Sequence, residues 1–219
     1  MCIDGRHKAL YVYDRAIAEE TGLTVAGIDE AGRGPLAGPV VVAAVMFSDS
    51  SLERYAVNDS KALTSRRRGE LEKMLLADDG VRISVAILPA SRIDEVNILR
   101  ATHEGMRQVA LEIACGLALV DGLKVPDFPV PARFVVKGDA TSASIAAASI
   151  IAKTRRDAIM VELAGKYPEY GFERHKGYGT AEHLEALRRY GPCPEHRMSF
   201  APVRNILEPG PVQMELPFA

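Results

Sequence analysis

Two apolar segments joined by a glycine-rich loop constrain the fold of this chain more than any other feature. The first, Val25–Asp29, has the length of a short strand, and the second, Val40–Phe47, is apolar on both faces, which is typical of a strand inside a sheet. The junction carries the sequence Gly27-Ile-Asp-Glu-Ala-Gly-Arg-Gly34. Because Gly32 and Gly34 permit sharp turns of the backbone, the first strand is predicted to end just before them.

The rest of the chain alternates short strands with helices, which favours an α/β fold. Further strands are predicted at Val81–Leu88, Leu117–Val120 and Arg133–Val136, giving a mixed central β-sheet flanked by helices. Residues 1–207 are predicted to form one catalytic domain, with a C-terminal helical appendage from about residue 167. Helices are predicted at Lys8–Glu20, Thr64–Leu76, Ser91–Cys115 with a break near Asn97, Ser142 to about Lys166, and Thr180–Tyr190.

The composition is that of an ordinary soluble globular protein. Hydrophobic residues make up 47% of the 219 positions and charged residues 26%, and the formal net charge is −2. No apolar run approaches the ~20 residues that span a bilayer, so no membrane association is expected. The three cysteines are far apart, which indicates a reducing compartment and hence the cytoplasm. No feature demands an oligomer, so a monomer is expected.

Four acidic residues lie where predicted strands end. Asp29 and Glu30 are adjacent at the end of the first strand, and Asp121 and Asp139 follow two later strands. Because ligands of open α/β sheets gather beyond strand ends, these carboxylates are expected to converge. Neighbouring strand residues point to opposite faces, so Asp29 and Glu30 reach one ion only where the strand ends or distorts.

Clustered carboxylates repel one another, and bound cations relieve that repulsion. Oxygen ligands suit Mg²⁺ or Mn²⁺, and a pair of such ions can cleave a phosphodiester. Taken alone, Asp121 is better explained as a turn residue. The spacing of Gly32, Gly34 and Gly38 misses the dinucleotide-binding pattern by one residue, and no P-loop triplet is present. The sequence therefore predicts metal-dependent phosphate chemistry.

Several motifs occur in one order along most of the chain. They are Gly-Ile-Asp-Glu-Ala-Gly-Arg-Gly (27–34), Asn-Asp-Ser-Lys-Ala-Leu-Thr (58–64), Val-Asp-Gly (120–122), Lys-Gly-Asp-Ala (137–140), Ser-Ile-Ala-Ala-Ala-Ser-Ile-Ile-Ala-Lys (144–153), His-Lys-Gly-Tyr-Gly-Thr (175–180) and Gly-Pro-Cys-x-x-His-Arg-x-Ser-Phe-Ala-Pro-Val (191–203). Their order and spacing resemble those of the bacterial type 2 ribonucleases H, the ribonuclease HII family. The resemblance runs from about Val25 to Val203.

The resemblance implies a ribonuclease H-like fold and an endoribonuclease that hydrolyses the RNA strand of RNA–DNA hybrids. It also implies incision 5′ of single ribonucleotides in duplex DNA, leaving a 5′-phosphate and a 3′-hydroxyl, with a role in replication and repair. Two divalent cations, Mn²⁺ or Mg²⁺, are expected in each active site, and Asp29, Glu30 and Asp121 are expected to bind metal. The family's catalytic acids fall on Asp29, Glu30, Asp121 and Asp139.

The resemblance also assigns substrate-binding residues. Its Gly-Arg-Gly motif falls on Gly32, Arg33 and Gly34, where backbone groups can closely approach the 2′-hydroxyl that distinguishes RNA from DNA. Tyr178 matches a tyrosine that packs against the sugar on the deoxynucleotide side; without the resemblance it would be taken for a half-buried loop tyrosine. Lys61 matches a lysine near the phosphates.

Two other functions fit parts of the sequence. A 3′→5′ exonuclease also uses four carboxylates on a related fold, but its first two acids are typically spaced Asp-x-Glu rather than adjacent. A non-catalytic nucleic-acid-binding module gains nothing from clustered negative charges. The basic residues Arg66–Arg68 and Lys153 suit either phosphate contacts or a solvated face. His103, His183 and His196 are expected to be structural.

Residues 208–219 are expected to form a flexible tail, because the segment is marked by proline and glycine. Gln213-Met-Glu-Leu-Pro-Phe218 resembles the short motif by which bacterial proteins dock to the sliding clamp. In that interpretation Leu216 and Phe218 are apolar anchors and Gln213 fixes their orientation. A free tail without function is the alternative, since short motifs arise by chance. The expected partners are therefore a hybrid or ribonucleotide-containing duplex and, through Gln213–Phe218, the clamp.

Overall fold

The computed structural model describes residues 5–48, 51, 53–58, 60 and 63–207. Its strands are β1 (Val25–Ala31), β2 (Val40–Phe47), β3 (Val81–Leu88), β4 (Leu117–Asp121) and β5 (Ala132–Val135). They form one mixed sheet in the order β3-β2-β1-β4-β5. Strands β1, β2 and β3 pair antiparallel, whereas β4 runs parallel to both β1 and β5. The predicted mixed central sheet is thereby confirmed.

Helices cover both faces of this sheet. They are α1 (Gly5–Thr21), α2 (Ser65–Leu76), α3 (Ala90–Val96), α4 (Ile98–Ile113), α5 (Ala143–Lys166), α6 (Phe172–His175), α7 (Ala181–Tyr190) and α8 (Ala201–Leu207). Asn97 separates α3 from α4 as predicted: it has a φ of 69°, and its side chain accepts a hydrogen bond from the amide of Arg100. Among the described residues, no helix is long and apolar enough to cross a membrane.

The core has two halves, one on each face of β2. This strand is apolar throughout, so alternate side chains enter opposite halves. One half lies under α4 and contains Val40, Val42 and Ala44. The other lies under α2 and α5 and contains Val41, Ala43 and Val45.

Helix α5 lies almost in contact with the backbone of β1. Its first half has small apolar side chains, and residues Ala143–Ala152 are all buried. A Cβ added at Gly27 of β1 would lie 2.1 Å from the amide nitrogen of Ile145, so only glycine permits this approach. The close packing fixes the start of α5 against the sheet, next to the turn that carries Asp139.

Two details differ from the sequence-based expectation. Strand β1 continues beyond the predicted Val25–Asp29 to Glu30 and Ala31, both paired with β2. The break falls at Gly32, where φ is +99°, as the glycine loop predicts. Segments 172–175 and 201–207 are also helical, although only Thr180–Tyr190 was predicted as an individual helix within the C-terminal appendage.

Candidate active site

Asp29 lies in the central strand of the sheet, on the face covered by α5. Its side chain is only 6% exposed, and its Oδ1 accepts a hydrogen bond from the amide of Glu30 at 2.7 Å. Since successive strand residues alternate faces, Glu30 points to the opposite side of the sheet. Its carboxylate lies 3.3 Å from Nη1 of Arg33, just beyond the end of β1. Adjacent acids therefore flank the strand where it meets the glycine loop.

Asp121 and Asp139 lie on the same face as Asp29. Asp121 ends β4, and the parallel register of β1 and β4 places it level with Asp29. Its Oδ1 accepts a hydrogen bond from the amide of Gly138 at 2.6 Å, which ties it to the short 3-10 turn Gly138–Ala140. Asp139 is buried in that turn, directly before the start of α5. Two strand ends and one helix start thus bring three acids together.

The four carboxylates interact electrostatically. Burial raises the pKa of Asp29 well above its usual range, and the negative charges of Glu30, Asp121 and Asp139 raise it further. A buried carboxylate among like charges is an unfavourable arrangement unless a cation compensates it. The arrangement therefore suits a bound cation.

The donor set fits a hard divalent cation. It consists only of carboxylate oxygens, which Mg²⁺ and Mn²⁺ prefer, and it lies on rigid elements at the carboxyl ends of β1 and β4. Within the described ranges, however, no three acidic, histidine or cysteine side chains already have the spacing of a finished metal site. Binding would therefore draw carboxylates together that now repel one another.

The glycine loop adjoins these acids through Arg33. Gly32 must be glycine, because a Cβ there would lie 2.1 Å from Nε of the buried Arg156 and its φ is +99°. Gly34 is different: its added Cβ would meet only the ring of Tyr178, at 3.7 Å. The ring of Tyr178 is 47% exposed. The predicted ribonucleotide-binding residues therefore form one open surface beside the acids.

A hydrogen-bonded chain of histidines supports the Tyr178 loop from below. His183 Nδ1 lies 2.9 Å from the carbonyl oxygen of Tyr178, and His183 Nε2 lies 3.0 Å from Nε2 of His196. His196 Nδ1 accepts a hydrogen bond from the amide of Cys193 at 3.0 Å. That acceptance assigns the proton of His196 to Nε2, so His183 accepts it and donates from Nδ1 to Tyr178. These histidines position the Tyr178 loop without touching the acids.

Basic residues near the site are mostly engaged with the protein itself. Arg68 is buried and donates to the carbonyl oxygens of Ser60 and Leu63, and Lys153 forms an ion pair with Asp157 at 2.7 Å. Arg68 and Lys153 are therefore structural in this state of the molecule. Lys61 and the motif Gln213–Phe218 lie outside the described residues.

A partly open pocket elsewhere on the molecule is not part of the acid site. A cavity of about 760 Å³ lies between α1 and the starts of β1 and α5, where it is lined by Asp14, Leu23 and Phe47. None of the four acids lines it. The open surface at the strand ends suits a duplex, which is too large to enter a cavity of this size.

Sequence reasoning missed the two buried arginines, Arg156 and Arg197, that hold the glycine loop. Both side chains are fully buried. For Arg156 a signal exists, because it is four residues from both Ala152 and Met160 on the buried face of α5. Arg197 belongs to the motif 191–203, which marks the position but does not indicate that the side chain is buried.

Comparison with known proteins gives a consistent result. The family model described as Ribonuclease HII matches residues 26–203. The chain is 51% identical to ribonuclease HII of Paramagnetospirillum magneticum over 199 residues, 89% of this chain and 98% of that protein. It is 47% identical to ribonuclease HII of Chlamydia pneumoniae over 203 residues, 92% of this chain and 94% of that protein.

A solved structure shares the fold. Ribonuclease HII of Archaeoglobus fulgidus, determined in complex with PCNA, superposes with a TM-score of 0.70 at 29% identity. The superposition covers 81% of this chain and 95% of that one. The likeness therefore extends over nearly the whole of the archaeal protein.

Proposed function

Because the chain belongs to the ribonuclease HII family, we propose that its catalytic acids are Asp29, Glu30, Asp121 and Asp139. Proteins of this family are metal-dependent endoribonucleases that act on RNA–DNA hybrids, and that is the activity of this chain. The assignment of residues is supported by the way three carboxylates act on the buried Asp29. These acids lie at the carboxyl ends of β1 and β4, beside the Gly-Arg-Gly loop.

Each acid has a distinct task in this proposal. Asp29 and Asp121 from one face of the sheet, and Glu30 from the other face near the end of β1, would hold two divalent cations, Mg²⁺ or Mn²⁺. When bound, such a pair makes an attacking water more acidic and stabilises the departing 3′ oxygen. The amides of Glu30 and Gly138 fix the orientation of two of the carboxylates before substrate arrives. Asp139, held at the start of α5, completes the negative cluster from the adjoining turn.

Substrate specificity is proposed to come from the surface formed by Gly32, Arg33, Gly34 and Tyr178. The loop lets a ribose approach the backbone closely, which favours a nucleotide with a 2′-hydroxyl. The exposed ring of Tyr178, in contact range of Gly34, offers a flat apolar surface to the neighbouring deoxyribose. This pairing suits a junction between one ribonucleotide and DNA.

The proposed reaction is incision 5′ of a ribonucleotide in duplex DNA, leaving a 5′-phosphate and a 3′-hydroxyl. Its use would be ribonucleotide removal during replication and repair. Lys61 is proposed to contact phosphate, on the motif match alone.

The test is cleavage of a labelled duplex with one ribonucleotide, in Mg²⁺, Mn²⁺ or chelator. Metal-dependent incision on the 5′ side is expected, with a loss of at least ~10³-fold in Asp29→Asn and Asp121→Asn, since each variant removes a cation-binding charge. Equal cleavage by Asp29→Asn would disprove the assignment of that acid. A substrate blocked at both 3′ ends separates an endonuclease, which still cuts, from a 3′→5′ exonuclease, which does not.

A second proposed function is docking to the sliding clamp through Gln213–Phe218. The observation that favours it is the archaeal ribonuclease HII structure, which was determined with PCNA bound. Leu216 and Phe218 would enter an apolar pocket of the clamp. Purified clamp on beads should retain the wild-type chain but not a double variant, Leu216→Ala with Phe218→Ala. Equal retention of both would rule out docking through these anchors, and duplex cleavage by both checks their folding.

A further inference from the structure

Arg197 is a fully buried arginine beneath the Gly-Arg-Gly loop. Its Nη2 donates to the carbonyl oxygen of Gly32 at 2.6 Å and its Nη1 to that of Arg33 at 2.9 Å. Nε and Nη2 also donate to the carbonyl oxygen of Gly38, at 3.1 and 2.9 Å. Within the described ranges its guanidinium forms no ion pair with a carboxylate, so backbone carbonyls compensate its burial.

The guanidinium of Arg197 is held in place from two sides. The guanidinium stacks over the ring of Phe200 at 5.1 Å. The backbone amide of Arg197 donates to the carbonyl oxygen of Leu36 at 2.8 Å. The carboxylate of Asp94 in α3 accepts hydrogen bonds from the amides of Met198 and Ser199. Through Asp94, the segment that carries Arg197 is therefore anchored to α3 independently of the Gly-Arg-Gly motif.

Arg156 performs a parallel task on the far side of the loop. It is also fully buried and donates to the carbonyl oxygens of Ala37, Pro39 and Lys176, at 3.0 to 3.1 Å. It makes no hydrogen bond to the carbonyls of the Gly-Arg-Gly motif. The two arginines thus resemble each other in burial and partners but fix different peptide groups.

The contacts of Arg197 determine where two amide hydrogens point. In a trans peptide the C=O and N–H bonds point in opposite directions. Because the carbonyls of Gly32 and Arg33 face the buried guanidinium, the N–H groups of Arg33 and Gly34 face outward. Neither N–H donates a hydrogen bond to any described residue. Two neighbouring donors are therefore directed at the open surface beside Tyr178, an arrangement that binds electron-rich oxygen.

We propose that Arg197 is the positioning residue for ribonucleotide recognition, because it holds these two N–H groups ready to donate to the 2′-hydroxyl oxygen. The charge behind each carbonyl also polarises the peptide, which strengthens donation from its N–H. This inference rests on the proposed ribonucleotide-binding function of the loop and adds the group that orients it. Arg197 contacts neither substrate nor acids.

The decisive substitution is Arg197→Lys, with Arg156→Lys as its matched control. Lysine keeps the charge, but its single ammonium cannot bridge three carbonyls in the plane that a guanidinium spans. Both variants lose a buried guanidinium, so both are expected to lose thermal stability. Only Arg197→Lys is expected to release the peptides of the Gly-Arg-Gly motif.

The readout is discrimination at the 2′ position. Initial cleavage rates are compared for two duplexes that differ only in a 2′-hydroxyl or a 2′-fluoro group at one nucleotide, because fluorine is a poor hydrogen-bond acceptor. The ratio of kcat/KM values should fall about tenfold in Arg197→Lys, equivalent to about 1.4 kcal/mol of lost transition-state binding. In Arg156→Lys it should stay at the wild-type value. A loss of folded enzyme lowers both rates equally and leaves the ratio unchanged.

An unchanged ratio in a folded Arg197→Lys enzyme would overturn the inference. If that variant does not fold, amide hydrogen exchange of the wild type decides. A ribonucleotide-containing duplex should protect the amides of Arg33 and Gly34 at least tenfold more than an all-deoxy duplex at equal saturation. Equal protection by the two duplexes would also overturn it. Failure of the wild type to incise the ribonucleotide-containing duplex would instead count against the proposed function. The two failures are therefore distinguishable.

Discussion

Gly32 and Gly34 lie two positions apart in one loop, yet substitution by alanine should affect them in different ways. At Gly32 a Cβ meets Arg156 and the backbone has a φ of +99°, so Gly32→Ala should cost about 1–3 kcal/mol of unfolding free energy. At Gly34 the added methyl group has room, so the unfolding free energy of Gly34→Ala should lie within about 0.5 kcal/mol of the wild-type value. The methyl group would nevertheless cover the surface proposed to meet the ribose.

Cleavage of the single-ribonucleotide duplex should therefore fall at least ~10-fold in Gly34→Ala, mainly through a higher KM. Urea unfolding and steady-state kinetics on both variants check this contrast. A Gly34→Ala enzyme with wild-type kinetics would remove Gly34 from the proposed contact surface.

The residues that sequence reasoning found at this scale are those with an unusual local pattern. Adjacent acids before a glycine loop are conspicuous, so Asp29 and Glu30 could be chosen from the sequence alone. The face that each occupies could not, because it depends on where β1 ends, and that is set by its pairing with β2. The motif 191–203 contains Arg197, but its role could not be deduced, because its partners are backbone carbonyls more than a hundred and fifty residues away.

At the scale of elements, α7 and the loop before α8 are joined to the Tyr178 loop through His183 and His196. Burial, together with the neighbouring His183, lowers the pKa of His196 to about 4. A depressed histidine pKa means that the unfolded chain takes up a proton near pH 6.5 while the folded chain does not. The stability from this group is therefore complete above pH 6.5 and is lost as the pH falls from 6.5 towards 4.

Wild type should accordingly lose about 2–3 kcal/mol of unfolding free energy across that interval from His196. Burial also lowers the pKa of His183, which adds to the same slope. A His196→Gln variant, whose amide does not titrate, should show a shallower slope in urea unfolding measured from pH 7.5 to 4.5. An identical slope in the variant would assign the loss to other groups.

The strands and the long helices were predictable from their pattern, whereas the short helices α6 and α8 were not. Strand β3 matches its prediction at both ends, and the break at Asn97 is where a side chain caps the following helix. Helices α6 and α8 are too short to show a periodic pattern and owe their form to burial of Phe172 and Val203 against neighbouring elements. The number of apolar contacts beyond a segment cannot be deduced from the segment itself.

At the scale of the whole molecule, stability and function are opposed at the acid site. Asp29 is a nearly fully buried carboxylate surrounded by like charges, so the metal-free fold bears an electrostatic cost for its active site. Asp29→Asn removes one of these charges while keeping the size and one hydrogen-bonding oxygen of the side chain. In chelator, the unfolding free energy of Asp29→Asn should therefore be at least ~1 kcal/mol higher than that of wild type.

Divalent cations should reverse that order, because a ligand that binds only the folded state stabilises it in proportion to its occupancy. Melting temperatures in chelator and in increasing Mg²⁺ or Mn²⁺ test this for wild type and Asp29→Asn, with Asp157→Asn as a control acid on α5 outside the cluster. The melting temperatures of wild type and of Asp157→Asn should rise with metal concentration, whereas that of Asp29→Asn should change little. Equal shifts in all three chains would mean that the cations bind elsewhere on the surface. In that case the repulsion around Asp29 would have to be relieved by protonation rather than by metal.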